Sequence, residues 1–333
     1  SEDGKTFEIG KTLTTPSSPE TAVVEGSRGV IEAAGAHSRA AISHIVHGTT
    51  LITNALIERK GARTALVTTA GFRDAIEIAR EHRYDMYDLY MRRPVPLAPR
   101  YLRFEVEERV LVDGSVRTPL DEKSVLALVP RLKAEKVEAV AVCLIHAYVN
   151  DAHERRVGEL LGKALPGVSI TISSELVPEL REYERTSTTL ANVYVKGIAE
   201  RYLGRLEARH KDELKLKGQL FVMASNGGVC DAEVATRFPV RLIESGPAAG
   251  ALAASHYGAL TGHKDLLSFD MGGTTAKACV IANGEPLIAP DFEVAREYQF
   301  KKGSGLPVKI PVIEMIEIGA GGGSIAHIDA LGR

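Results

Sequence analysis

An α/β fold with parallel β-α-β units is predicted, and three observations carry it. From Leu120 onward the chain alternates cleanly: a helical stretch at 121–136, an apolar run at 137–146, a helix opened by Asn150-Asp151, and a second apolar run at 168–173. Strands alternating with helices imply a parallel sheet. The same order of strand, loop and helix start recurs in SHIVHGTTLITNALIERKG and KGARTALVTTAGFRD. Finally, SFDMGGTTAKACVIANGEPLI, residues 268 to 288, reads as strand, glycine turn, strand, Asn-Gly turn, strand, the last turn being of the type I′ kind. At 333 residues the chain is comfortable for two domains.

The remaining elements follow in order. SEDGKTFEIGKTLTTP alternates as a strand or hairpin would, with Asp3-Gly4 as the turn. PETAVVEGSRGVIEAAGA is helical. In the next segment an apolar stretch ends at His47, a Gly-Thr-Thr turn follows, and a helix carries Asn54. SSELVPELREYERT leads into a long helix ending near Gly218, and the domain boundary is placed at 190/191. LFVMASNGGV is a strand entering an Asn-Gly-Gly turn. RLIESGPAAGALAASHYGAL is a closely packed helix with Pro247 in its first turn.

Composition narrows the function classes. The formal net charge of −2 provides no basic footprint, so nucleic acid is not expected as a partner. REHRYDMYDLYMRRP, residues 80 to 94, interleaves bases with acids and reads as a solvated rim. No segment approaches the roughly 18 uninterrupted apolar residues of a membrane span, and the first ten residues are too polar for a signal peptide. Three scattered cysteines, Cys143, Cys230 and Cys279, lack C-x-x-C spacing. They argue against a disulfide framework and a structural zinc, and for a reducing, cytoplasmic setting. Cys143, inside VEAVAVCLIHAYV, reads as a small buried hydrophobe.

The turn DMGGTT carries the chemistry. Gly272 and Gly273 permit positive φ and let a ligand approach the backbone. Successive N–H groups in such a turn form an anion-binding concavity, and Thr274 and Thr275 add hydroxyl donors. Asp270, at the end of the first strand, is placed to orient a water on a bound Mg2+, an ion that keeps several waters and takes one or two carboxylates. A bare D-x-G-G is more often an ordinary turn; the preceding strand, the two threonines and the small-residue helix just before it shift the balance here.

GPAAGALAASHYG followed by D-x-G-G-T resembles the actin-like ATPase superfamily. More narrowly, HGTTLITNALIERKGARTALVTTAGFRD, SSELVPELREYERTSTTLANVYV, ASNGG, ESGPAAGA, FDMGGTTAKA and IGAGGGSIAHID, in this order and nearly end to end, resemble A-type subunits of the hydantoinase/oxoprolinase family. That resemblance implies an actin-like ATPase fold of two ribonuclease-H-like lobes, 1–190 and 191–333, N- and C-terminally incomplete. It places the first phosphate hairpin upstream of Ser1. It implies ATP and Mg2+, and phosphorylation of an amide or enol oxygen followed by cyclic-amide hydrolysis or, alternatively, ketone carboxylation. It also implies a small-molecule substrate, a B-type partner subunit and an oligomer. A third reading is a chaperone-like ATP-binding module without small-molecule chemistry.

The resemblance assigns residues as well. Asp270, Gly272, Gly273, Thr274 and Thr275 would serve the phosphates and metal, with Gly246 at the place of the chaperones' hydrolytic glutamate. Lys277, an aspartate in many relatives, either balances phosphate charge or faces solvent. His47, Thr49, Thr50 and Asn54 form the H-G-T-T-x-x-x-N segment at a helix start, a natural anion site; His47 otherwise reads as a structural strand-end residue. Arg181 and Glu182 in REYERT read as ion-pairing residues at the lobe boundary before they read as catalytic ones.

Overall fold

The computed structural model describes residues 7–15, 17–35, 41–272, 276–298, 301–318, 321–325 and 327–328. Its best-formed layer is a four-stranded sheet in the order Arg103–Val106, Thr64–Thr69, Ala139–Cys143, Ser169–Ile172. All three pairings are parallel. The two central strands, TALVTT and AVAVC, are buried along their whole length. Continuous burial is what covering both faces of a parallel sheet requires. Cys143, at the end of its strand, is 2% exposed, as a small core hydrophobe should be.

A second sheet pairs His44–His47 in parallel with Gln219–Met223, to which Val229–Asp231 adds antiparallel. Between the sheets runs the helix Glu182–Asp212, continuous through position 190. At about 1.5 Å per residue its 31 residues make a rod of roughly 46 Å. Residues 184 to 195 are buried without interruption, so this stretch has no solvent face. Its polar groups are satisfied internally where the chain allows: Thr188 and Thr189 donate to the carbonyls of Glu184 and Arg185, both at 2.7 Å. Glu184 pairs with Arg80, and the guanidinium of Arg185 donates to the Leu144 carbonyl at 2.6 Å.

The third sheet is the glycine hairpin. Leu266–Met271 pairs antiparallel with Ala276–Ala282, which Glu285–Pro286 and Ile316–Ile318 extend. Asn283 and Gly284 have φ of 55° and 86°, the two positive values a type I′ turn needs. The helix Ser245–Thr261 packs on one face through Ala248 and Ala251, against Cys279.

Two local expectations change. The stretch read as one helix at 121–136 is two, Glu122–Leu126 and Val129–Ala134, because Pro130 has no N–H to continue the ladder. Residues 7 to 15 form no strand. They run beside the helix Pro19–Ala33 so closely that a β-carbon on Gly10 would lie 2.5 Å from Val30 Cγ2, and among the described residues no strand pairs with them. The Asp3-Gly4 turn lies outside the described residues.

Candidate functional site

Turns far apart in sequence meet at the start of the helix Ser245–Thr261. The Ser245 hydroxyl donates to the Thr49 carbonyl at 2.9 Å and accepts from the Thr49 N–H at 3.1 Å, a reciprocal clasp. Alongside it, a β-carbon on Gly48 would sit 3.6 Å from Gly246 Cα, so the two backbones nearly touch. The clasp is extended by Thr53, whose hydroxyl accepts from the Glu244 N–H at 3.1 Å. Glu244 itself holds φ 59° and ψ 23°, a left-handed conformation that turns the chain sharply into the helix.

The glycine hairpin joins this cluster through Lys277. Its ammonium pairs with Glu244 and lies 3.8 Å from Glu317. Lys277 is cross-strand partner to Asp270 on one side and Glu317 on the other, so the three share one face of the sheet, the face that also carries buried Cys279 and Ile281. The Lys277 side chain is 14% exposed and that of Glu244 7%. This largely covered ion pair ties the hairpin to the helix.

Asp270 is exposed, and among the described residues no hydrogen bond or ion pair engages its carboxylate. Among the described residues no group of three His, Cys, Asp or Glu side chains converges on one point. Gly272 is exposed, and its carbonyl accepts from the Gly322 N–H at 2.9 Å, which holds residues 321–324 beside it. Gly273, Thr274 and Thr275 lie outside the described residues. Among the described residues, a β-carbon on Gly246 would make ordinary van der Waals contact with Thr50 Cγ2, at 3.7 Å.

His47 turns the other way. Its Nε2 is 2.8 Å from the Tyr202 hydroxyl on the long helix. Burial, with nearby His210 adding to it, pushes its pKa down to about 4, while burial pushes Tyr202 up to about 12. Both are therefore neutral near pH 7. Asn54 is exposed and donates weakly to the Thr50 hydroxyl at 3.4 Å. Asn226 accepts from the Gly228 N–H at 3.0 Å, an Asx-type turn, and Gly227 packs under Leu252 and Ile313. Glu244, Ser245 and Tyr202 were not singled out from sequence as site residues. Only the E-S-G-P quartet held a signal, and it pointed to Gly246.

Residues 1–165 match the N-terminal region of the hydantoinase/oxoprolinase family, and residues 185–333 match its second, hydantoinase/oxoprolinase region. The chain belongs to the hydantoinase/oxoprolinase family. An uncharacterized protein of Methanocaldococcus jannaschii is 40% identical over 98% of this chain and 48% of its own length. The caprolactamase subunit alpha of Pseudomonas jessenii is 33% identical over 95% of this chain and 45% of its own. The crystal structure of that ATP-dependent caprolactamase superposes with a TM-score of 0.80, at 30% identity over 98% of this chain and 48% of the other. A nucleotide-free acetone carboxylase gives 0.83 at 26% identity, covering 97% and 46% of the two chains. The fold is that of the actin-like ATPases. This member of the hydantoinase/oxoprolinase family spans about half the length of the relatives it matches.

Proposed function

We propose that the chain is the nucleotide-handling part of an ATP-dependent enzyme that opens a hydantoin-like or oxoproline-like cyclic amide by phosphorylating its amide oxygen. The convergence of the 48–50 turn, the 244–246 turn and the glycine hairpin carries this reading. A phosphate chain needs closely approaching backbone donors, and the glycines at 246 and 272 bring no side chain to that space. The 17-residue helix starting at Ser245 adds the partial positive charge of its N-terminus. Lys277 offsets the buried charge of Glu244, so that carboxylate does not repel the ligand.

Asp270 fits magnesium: one free carboxylate at a strand end, with water and phosphate oxygens left to complete the shell. Mg2+, when bound, neutralises charge between the phosphates. The chain's residues orient and exclude water; His47 and Asn54 sit behind the phosphate-facing turn and position it. The caprolactamase relative is named as a subunit alpha, and a B-type partner subunit is proposed here on that ground.

ATP-dependent ketone carboxylation is the second reading, favoured by the TM-score of 0.83 to acetone carboxylase. Calorimetric titration with Mg-ATP tests the common core. A leucine at position 246 reaches past the Thr50 contact and crowds the turn, and Gly246→Leu is expected to abolish binding with the circular dichroism spectrum unchanged; retained affinity refutes the site. ATP turnover that requires a cyclic amide supports hydrolysis, whereas turnover that requires bicarbonate and a ketone replaces it with carboxylation.

A further inference from the structure

A cavity of about 470 Å3 opens at the N-terminal end of the long helix, and none of residues 47–54, 244–246 or 270–277 lines it. One wall is the loop 76–96, the floor is Tyr183 and Glu184, and the other wall is the strand Phe292–Val294 with residues 302–309. Its walls are tied together. The Tyr298 hydroxyl donates to Asp88 at 3.2 Å, Lys301 pairs with Asp85, and the Tyr84 and Tyr298 rings lie 5.3 Å apart. Gly303, at φ 94°, approaches so near that a β-carbon there would be 3.3 Å from the His82 ring. Lys309 is anchored below by its N–H to Thr188 Oγ1 at 2.8 Å.

The polar groups inside are unevenly matched. Three of the lining carboxylates are occupied: Glu184 by Arg80, Glu77 by Arg103 at 2.7 Å, and Glu293 by the Gly303 N–H at 2.8 and 3.0 Å. Glu81 and Asp291 have no partner among the described residues. On the donor side, Arg93 is exposed and, among the described residues, meets the Glu77 carbonyl at 3.3 Å and no carboxylate. Lys302 has no partner among the described residues. No hydrogen bond engages the Tyr183 hydroxyl, which burial, together with Glu184 and Glu293 nearby, pushes up to about 12, so it stays protonated and donates. The Tyr84 hydroxyl is buried with no hydrogen-bond partner among the described residues. Between these donors the surface is apolar, from Ile76, Pro94, Phe292 and Val308.

A buried unpartnered hydroxyl at Tyr84 and an open one at part-buried Tyr183, beside an exposed guanidinium that no carboxylate pairs with among the described residues, suit an oxyanion; the apolar stretch suits a short hydrocarbon body. We propose that this cavity binds a compact amphipathic carboxylate, its oxygens set between Arg93 and the Tyr183 hydroxyl and its apolar body against Phe292 and Val308. The site stands apart from the ATP reading and does not depend on it.

The test is titration of the protein with hexanoate and, because Glu81 and Asp291 offer a counter-attraction, with hexylamine. Hexanoate is expected to bind and hexylamine not. Tyr183→Phe and Arg93→Met should each weaken hexanoate roughly tenfold, the loss of one charge-assisted hydrogen bond. The circular dichroism spectrum and urea midpoint of the same variants should stay at the wild-type values, which reports that they are folded, and Mg-ATP affinity should not change. Hexylamine binding as tightly as hexanoate, no binding of hexanoate, or variants that keep wild-type hexanoate affinity would overturn the assignment. Loss of Mg-ATP affinity in both variants would overturn the separateness of the two sites.

Discussion

Lys277 distinguishes two roles that predict opposite outcomes. If it served a phosphate, Lys277→Met would weaken ATP and leave the fold alone. In this structure its ammonium is taken up by Glu244, and both side chains are nearly covered, at 14% and 7% exposure. Removing the lysine leaves a carboxylate out of water with no counter-charge, which costs about 3–5 kcal/mol. Replacing both partners by neutral residues removes that charge, so the Lys277→Met/Glu244→Gln double variant should recover most of the loss, to within about 1–2 kcal/mol of wild type. Urea unfolding of the four proteins in a double-mutant cycle reads this directly. A Lys277→Met variant that loses under about 1 kcal/mol, no more than an exposed ion pair contributes, refutes the buried tie.

Other outcomes follow from the same coordinates. His47 has a folded pKa of about 4 against an ordinary 6.5, so the unfolded chain takes the proton first. Its contribution is complete above pH 6.5 and lost as pH falls toward 4, about 3 kcal/mol in all; His47→Gln should flatten urea stability over that window. Gly61→Ala would put a β-carbon 2.1 Å from the Tyr194 ring and 2.5 Å from its carbonyl oxygen, and the chemical-denaturation midpoint should fall by the equivalent of about 1–3 kcal/mol. Asp270→Asn should leave the melting temperature unchanged, since nothing in the described structure holds that carboxylate, and should weaken ATP only when magnesium is present, as read by calorimetry with and without the ion.

What was legible before the structure was what repeats locally. The period of the apolar runs marked the parallel strands, Asn283-Gly284 marked the tight turn, and Pro247 falls in the first turn of its helix. The site is made otherwise. Thr49 and Ser245 are 196 positions apart, Tyr202 and His47 155, and Lys277 and Glu244 33. Such contacts have no period to read, so a lysine opposite Asp270 looked free. Residues 7 to 15 misled for the converse reason: alternation alone makes a strand only where another backbone is there to pair with it.

Gly48 and Gly246 meet with no side chains between them. Bulky residues at such a junction would interlock like gear teeth; bare backbones can slide. Rotating one turn against the other there breaks the two bonds of the Ser245 hydroxyl and the bond from the Glu244 N–H to Thr53, about 2–4 kcal/mol together. The differential affinity of a ligand can supply that much, but Ile52, Leu56, Leu242 and Ile243 flank the junction within one hydrophobic core, so whatever shifts one turn carries the packing of the other with it.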